Sequence, residues 1–119
     1  MTPGACIGKD NALFSQGMPH SGMSIAGKNI ANPTSMLLSS VMMLRYLGLP
    51  RFADQISNAL NEVLTEGKVK TQDIGGTSTT SDFTKAVIHH LWKRSFVFLF
   101  YFELFFWKNL RIMFLWEVH

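Results

Sequence analysis

Apolar and polar positions along the chain fall into four regimes. Over residues 1–32 they follow no sustained period. Five of the nine glycines lie there, and only "NALF", 11–14, reads as a short strand. The opening "MTPGACIGKD" reads as a turn built on Pro3, Gly4 and Gly8, of the kind met in the middle of a domain. Residues 33–49 then form a nearly unbroken apolar run with clear punctuation. Asn32 can cap the free amides, Pro33 stands where a missing N–H costs nothing, and Gly48 supplies a left-handed stop. Met36, Leu37, Leu38, Val41, Met42, Leu44 and Leu47 cover much of the circumference, which predicts a deeply packed helix.

Residues 51–66 predict a second helix, with Phe52, Ile56, Ala59, Leu60, Val63 and Leu64 on its inner face and Gly67 at its end. Asp54, Asn58, Asn61, Glu62 and Glu66 line the opposite face, so it should lie at the surface. "KVKTQDIGGTSTTSD" reads as a short strand followed by a Gly/Thr/Ser loop. Ser81 is the expected cap of a third helix over 82–93, whose inner stripe is Phe83, Ala86, Val87, His90 and Leu91. Asp82 suits the positive end of that helix. From Ser95 onward the pattern changes again. Seven of the ten phenylalanines and two of the three tryptophans fall in 95–119, with neither strand alternation nor a polar helical stripe.

Composition narrows the function classes. A chain of 119 residues fits one domain. The formal charge of +3 comes from scattered lysines and arginines with no dense patch, which argues against a nucleic-acid partner. The single cysteine, Cys6, allows no internal disulfide and no zinc framework. It is expected to pack rather than react, in a reducing compartment. The first residues carry neither a secretory signal nor an Arg- and Ser-rich transit sequence.

Few side chains offer chemistry. Ser21 has only the adjacent His20 as a base, and no orienting group or oxyanion site can be placed, so no catalytic residue is assigned. His89 and His90 are neighbours on one helix and point apart, so they cannot chelate a metal together; His90 reads as a core-edge residue and His89 as solvated. Asp73, before Gly75 and Gly76, reads as a turn former rather than an acid. The methionines 36, 42 and 43 read as core filling, and "IGG" is too short for a dinucleotide fingerprint. The glycine-punctuated stretch running into the capped helix leaves two readings, an ordinary helix start or a loop serving an anion or nucleotide.

A resemblance bears on that choice. "IAGKNIANPTSMLLSSVMMLRYLGL", followed by "GKVKTQDIGGTSTTSDFTKAVIHHL", resembles the C-terminal segment of mitochondrial NAD-dependent isocitrate dehydrogenase subunits, within the isocitrate and isopropylmalate dehydrogenase family. "AGKNIANPT", "MMLR" and "DIGGT" stand in the family's order and spacing from about Met1 to Leu91. The implied fold is α/β: part of the family's large domain over 1–94, mostly helical as a fragment, with 95–119 a non-homologous aromatic tail. Catalytic members carry a loop like His-Gly-Thr-Ala-Pro-Asp before the "IAGK" box. Here "PHSGMSIAGK" is one residue shorter and lacks Ala-Pro-Asp, which looks like the regulatory, gamma-type subunit. The resemblance implies that His20, Ser21 and Asn32 hold an adenine nucleotide, either NAD or ADP. It implies no metal residue here, Mg²⁺ or Mn²⁺ belonging to the complete enzyme. It also implies partner subunits in a hetero-oligomer, a place in the tricarboxylic acid cycle and the mitochondrial matrix as location.

The tail admits a competing reading of the whole chain as a non-enzymatic, membrane-anchored interaction protein. The uninterrupted run from Ser95 to Trp107 would reach only ~20 Å as a helix, against a hydrocarbon core of about 30 Å. A non-native terminus is therefore the favoured reading of 95–119, and a membrane partner is not expected.

Overall fold

The computed structural model describes residues 2–19 and 22–94. Two strands, β1 (Pro3–Ile7) and β2 (Ala12–Gln16), pair antiparallel, with Ala5 opposite Phe14 and Ile7 opposite Ala12. Gly8 N–H donates to Asn11 C=O at 2.8 Å and closes the turn between them. The strand expected at 11–14 is therefore β2. The turn expected at Pro3 and Gly4 is instead β1, because Pro3, at the first position of a strand, removes no interior ladder bond.

Two helices follow, α1 (Thr34–Tyr46) and α2 (Pro50–Glu66). A third, α3, occupies 80–94. The stop between α1 and α2 is a Schellman motif: Leu49 N–H donates to Leu44 C=O at 2.9 Å and Gly48 N–H to Arg45 C=O at 3.1 Å, with Gly48 at φ 75°. Arg45 then pairs with Asp54 at 3.1 Å across the two helices, both side chains well exposed.

The core lies where α1, α2 and α3 meet. Ala59, Leu60, Val63, Phe83 and Val87 are buried, and Leu37, Leu38, Val69, Ala86 and Leu91 pack against them. The inner stripe expected for α3 is thus the one observed. On α2, Ala53 is buried while Phe52 is 57% and Leu64 36% exposed, which corrects the expected inner face at both ends of the helix. His90 sits at the rim of this core, its Nδ1 2.9 Å from Glu62 Oε2, with Arg94 Nε 3.6 Å from Glu62 Oε1; His89 is exposed.

The helix α1 departs most from expectation. Its buried residues are Thr34, Ser35, Ser39 and Val41, whereas Met36, Met42, Met43 and Leu47 are exposed. The hairpin explains the buried hydroxyls. Ser39 Oγ lies 2.6 Å from Ser15 C=O and 2.9 Å from Ser35 C=O, and accepts from Gly4 N–H at 3.3 Å. A small side chain lets the hairpin backbone approach α1 closely, and its hydroxyl satisfies polar atoms that a Leu would strand. Cys6, expected to pack, is exposed. It stands opposite Leu13, itself 64% exposed, so the two share the outward face of the hairpin. The strand expected at 68–70 is absent: Lys70 C=O accepts Ser78 N–H at 2.8 Å, and no further ladder forms.

Candidate functional site

Two loops meet at the N-termini of α1 and α3. The first, 26–33, comes from the "AGKNIANP" stretch. Asn32 Oδ1 accepts the backbone N–H of Thr34 at 3.0 Å and the Thr34 hydroxyl at 2.6 Å. It therefore caps a free amide of α1 as expected, but from one position before the N-cap residue, which is Pro33. Leu37 N–H donates to Pro33 C=O at 3.0 Å and opens the helical ladder.

The second loop, 71–79, supplies the other half. Asn32 Nδ2 donates to Asp73 Oδ2 at 3.0 Å, and the hydroxyl of buried Thr71 donates to Asp73 Oδ1 at 2.5 Å. Asp73 lies in a 3-10 turn, Gln72–Ile74, that ends at Gly75 with φ 80°. A Cβ at Gly76 would fall on the carbonyl of Lys70, so the second glycine of "DIGG" is required by space rather than by dihedral angle. The expected turn former therefore also acts as the fixed acceptor that orients the Asn32 amide.

Asn29 locks the loops together. Held at φ 56°, it accepts from Ser81 N–H at 3.2 Å and from the Ser81 hydroxyl at 3.0 Å through Oδ1. Its backbone carbonyl accepts Thr80 N–H at 2.9 Å, and Thr80 Oγ1 donates to Ala31 C=O at 2.5 Å. The cap of α3 is Thr79, not Ser81. Thr79 Oγ1 accepts Asp82 N–H at 3.1 Å while Asp82 Oδ2 accepts Thr79 N–H at 3.2 Å, a reciprocal capping box. The Thr79 hydroxyl also donates to Asp82 Oδ2 at 2.7 Å. These bonds from the Thr79 side chain and backbone hold the Asp82 carboxyl below the usual carboxylate range, with a smaller contribution from Lys85.

This arrangement has chemical consequences. Both helix starts direct amides at side chains of the same chain, and two carboxylates, Asp73 and Asp82, stand beside them. Such a rim suits the neutral hydrogen-bonding edge of a base better than a phosphate. Of the three residues expected to hold a nucleotide, Asn32 lies in this cluster; His20 and Ser21 lie outside the described residues. Asn29, Thr71 and Asp73 complete the cluster. The local cue for the α3 cap was Thr-x-x-Asp at 79–82. Among the described residues no three His, Cys, Asp or Glu side chains gather as a metal site.

An α/β fragment with a hairpin, three packed helices and an Asn-capped loop above "DIGG" defines part of a dehydrogenase domain. A profile of the isocitrate/isopropylmalate dehydrogenase family matches residues 1–87. The chain belongs to that family. It is 53% identical to isocitrate dehydrogenase [NAD] subunit 1, mitochondrial, of Kluyveromyces lactis over 93 residues, 78% of this chain and 26% of that protein. It is 50% identical to isocitrate dehydrogenase [NAD] catalytic subunit 6, mitochondrial, of Arabidopsis thaliana over 91 residues, 76% of this chain and 24% of that one. The crystal structure of isocitrate dehydrogenase from Methylococcus capsulatus superposes with a TM-score of 0.69 at 37% identity, over 75% of this chain and 26% of that chain. The chain thus spans about a quarter of the length of the curated relatives it matches.

Proposed function

We propose that this chain contributes the adenine end of a nucleotide site in a mitochondrial NAD-dependent isocitrate dehydrogenase, as a subunit segment of regulatory, gamma type. The observation that carries the reading is the fixed Asn32 amide. Its oxygen is committed to the start of α1, and its nitrogen is aimed by Asp73 at the loop junction. An asparagine amide nitrogen carries two N–H donors, and an adenine edge presents ring-nitrogen acceptors that such a donor can meet. The regulatory type rests on "PHSGMSIAGK", which lacks the Ala-Pro-Asp that the resemblance associates with turnover. In this reading His20 and Ser21 contact the nucleotide, NAD or ADP, from the preceding loop. Other isocitrate dehydrogenase subunits supply the remaining walls in a hetero-oligomer. Mg²⁺ or Mn²⁺ and the isocitrate-binding groups belong to the complete enzyme, which performs the oxidative decarboxylation of isocitrate. The tail on which the membrane-anchored reading rests, 95–119, lies outside the described residues; among the described residues no helix is long and apolar enough to cross a membrane.

Calorimetric titration with ADP tests the proposal. The parent chain should bind weakly, because it spans only a quarter of its relatives. His20→Ala should reduce binding with helicity unchanged, and Asn32→Ala should reduce both. Equal heats for parent and variants would remove the site from these residues.

A further inference from the structure

Phe52, Gln55, Ile56, Leu91 and Trp92 line a groove of about 320 Å³ between the N-terminal part of α2 and the C-terminal part of α3. Its aromatic walls are open: Phe52 is 57% exposed and Trp92 68%. Ile88, four residues before Trp92 on the same helical face, is 45% exposed. An apolar surface of this kind at the end of a helix calls for an occupant.

The sequence places one directly beside it. Residue 95 follows Trp92 by three positions, and the run 95–107, "SFVFLFYFELFFW", carries eight aromatic side chains and one charge, Glu103. We propose that the groove is the docking surface of the chain's own residues 95–107. A tether this short raises the local concentration of the segment at the groove to about the millimolar range, which favours the intramolecular contact over a second copy of the chain. The chemistry matches on both sides: Phe52 and Trp92 offer ring faces and edges, and the segment supplies further rings to pack against them. Docking covers two apolar surfaces at once, and each would otherwise promote association with other molecules.

The test keeps the full chain throughout. Trp107→Phe and Trp116→Phe leave Trp92 as the single tryptophan, and acrylamide quenching then reports its accessibility. Quenching should be several-fold weaker than in the same chain carrying Phe98→Ser and Phe102→Ser, and independent of protein concentration. Equal quenching in the two chains would overturn the proposal. So would protection that grows with protein concentration alongside a dimeric mass, or protection that appears only with phosphatidylcholine vesicles. A second measurement does not depend on how well the serine variant folds. A spin label at Asn58→Cys, in a Cys6→Ser background, should broaden amide resonances of 95–107 within the monomer; unbroadened resonances there would equally refute docking.

Discussion

Asn32 shows how much a single side chain can carry and how much of that is visible in advance. Its capping role follows from Asn-Pro before an apolar run, and the structure shows the bond to Thr34 N–H. Its second partner, Asp73, lies 41 residues away, and no local pattern announces it. That partner changes what substitutions do. Asn32→Ala should cost about 1 kcal/mol through the lost cap. Asn32→Asp keeps a capping oxygen but replaces the donor facing Asp73 with a second carboxylate, so it should destabilise as well. Adding Asp73→Asn should restore stability, because a donor again meets an acceptor. Thermal melts of Asn32→Asp, Asp73→Asn and the double variant, beside the parent, close this double-mutant cycle. Asp82 gives a pH dependence. Its folded value is depressed, so its contribution is complete above the unfolded carboxylate range and is lost as pH falls through the folded value. Circular dichroism of the parent should therefore show an acid limb that Asp82→Asn flattens.

At the scale of elements, periodicity and stops were legible, whereas the elements that depend on distant partners were not. The inner stripe of α3 and the Gly48 and Gly67 stops follow from spacing and from the left-handed region that glycine favours. The strand β1 could not be read, because Pro3, Gly4 and Gly8 mimic a turn until β2 and Ser39 are present to pair with it. The α3 cap shifted by two residues because "TSTTSD" offers several hydroxyls in succession, and only Thr79 has an acidic residue three positions later. The "DIGG" turn yields the sharpest prediction at this scale. Gly76→Ala forces a Cβ onto the Lys70 carbonyl and should destabilise by about 3 kcal/mol or more. Gly75→Ala meets no neighbouring atom but must hold φ 80°, so it should cost less, about 1 kcal/mol. Hydrogen exchange of the amides over 70–78 in the two variants, which reads local rather than global opening, decides their order.

For the whole molecule, the exposure of α1 matters most. A helix rich in Met and Leu that leaves Met36 56% exposed and buries serines is a helix with an apolar face uncovered by the described residues. The core of α2 and α3 is real but small, so the isolated chain should unfold over a broad range rather than in one sharp transition. It should also form no NADH from isocitrate with Mg²⁺ or Mn²⁺, since the chain spans only about a quarter of the length of the isocitrate dehydrogenase subunits it matches. What it should retain is the loop junction at the starts of α1 and α3, because that cluster is held by bonds internal to this chain. Amide chemical-shift mapping during an ADP titration tests this most directly. The account predicts saturable shifts concentrated at 26–34 and 71–82, and their loss in Asn32→Ala. Shifts that are absent, or that are spread elsewhere and survive Asn32→Ala, would contradict it.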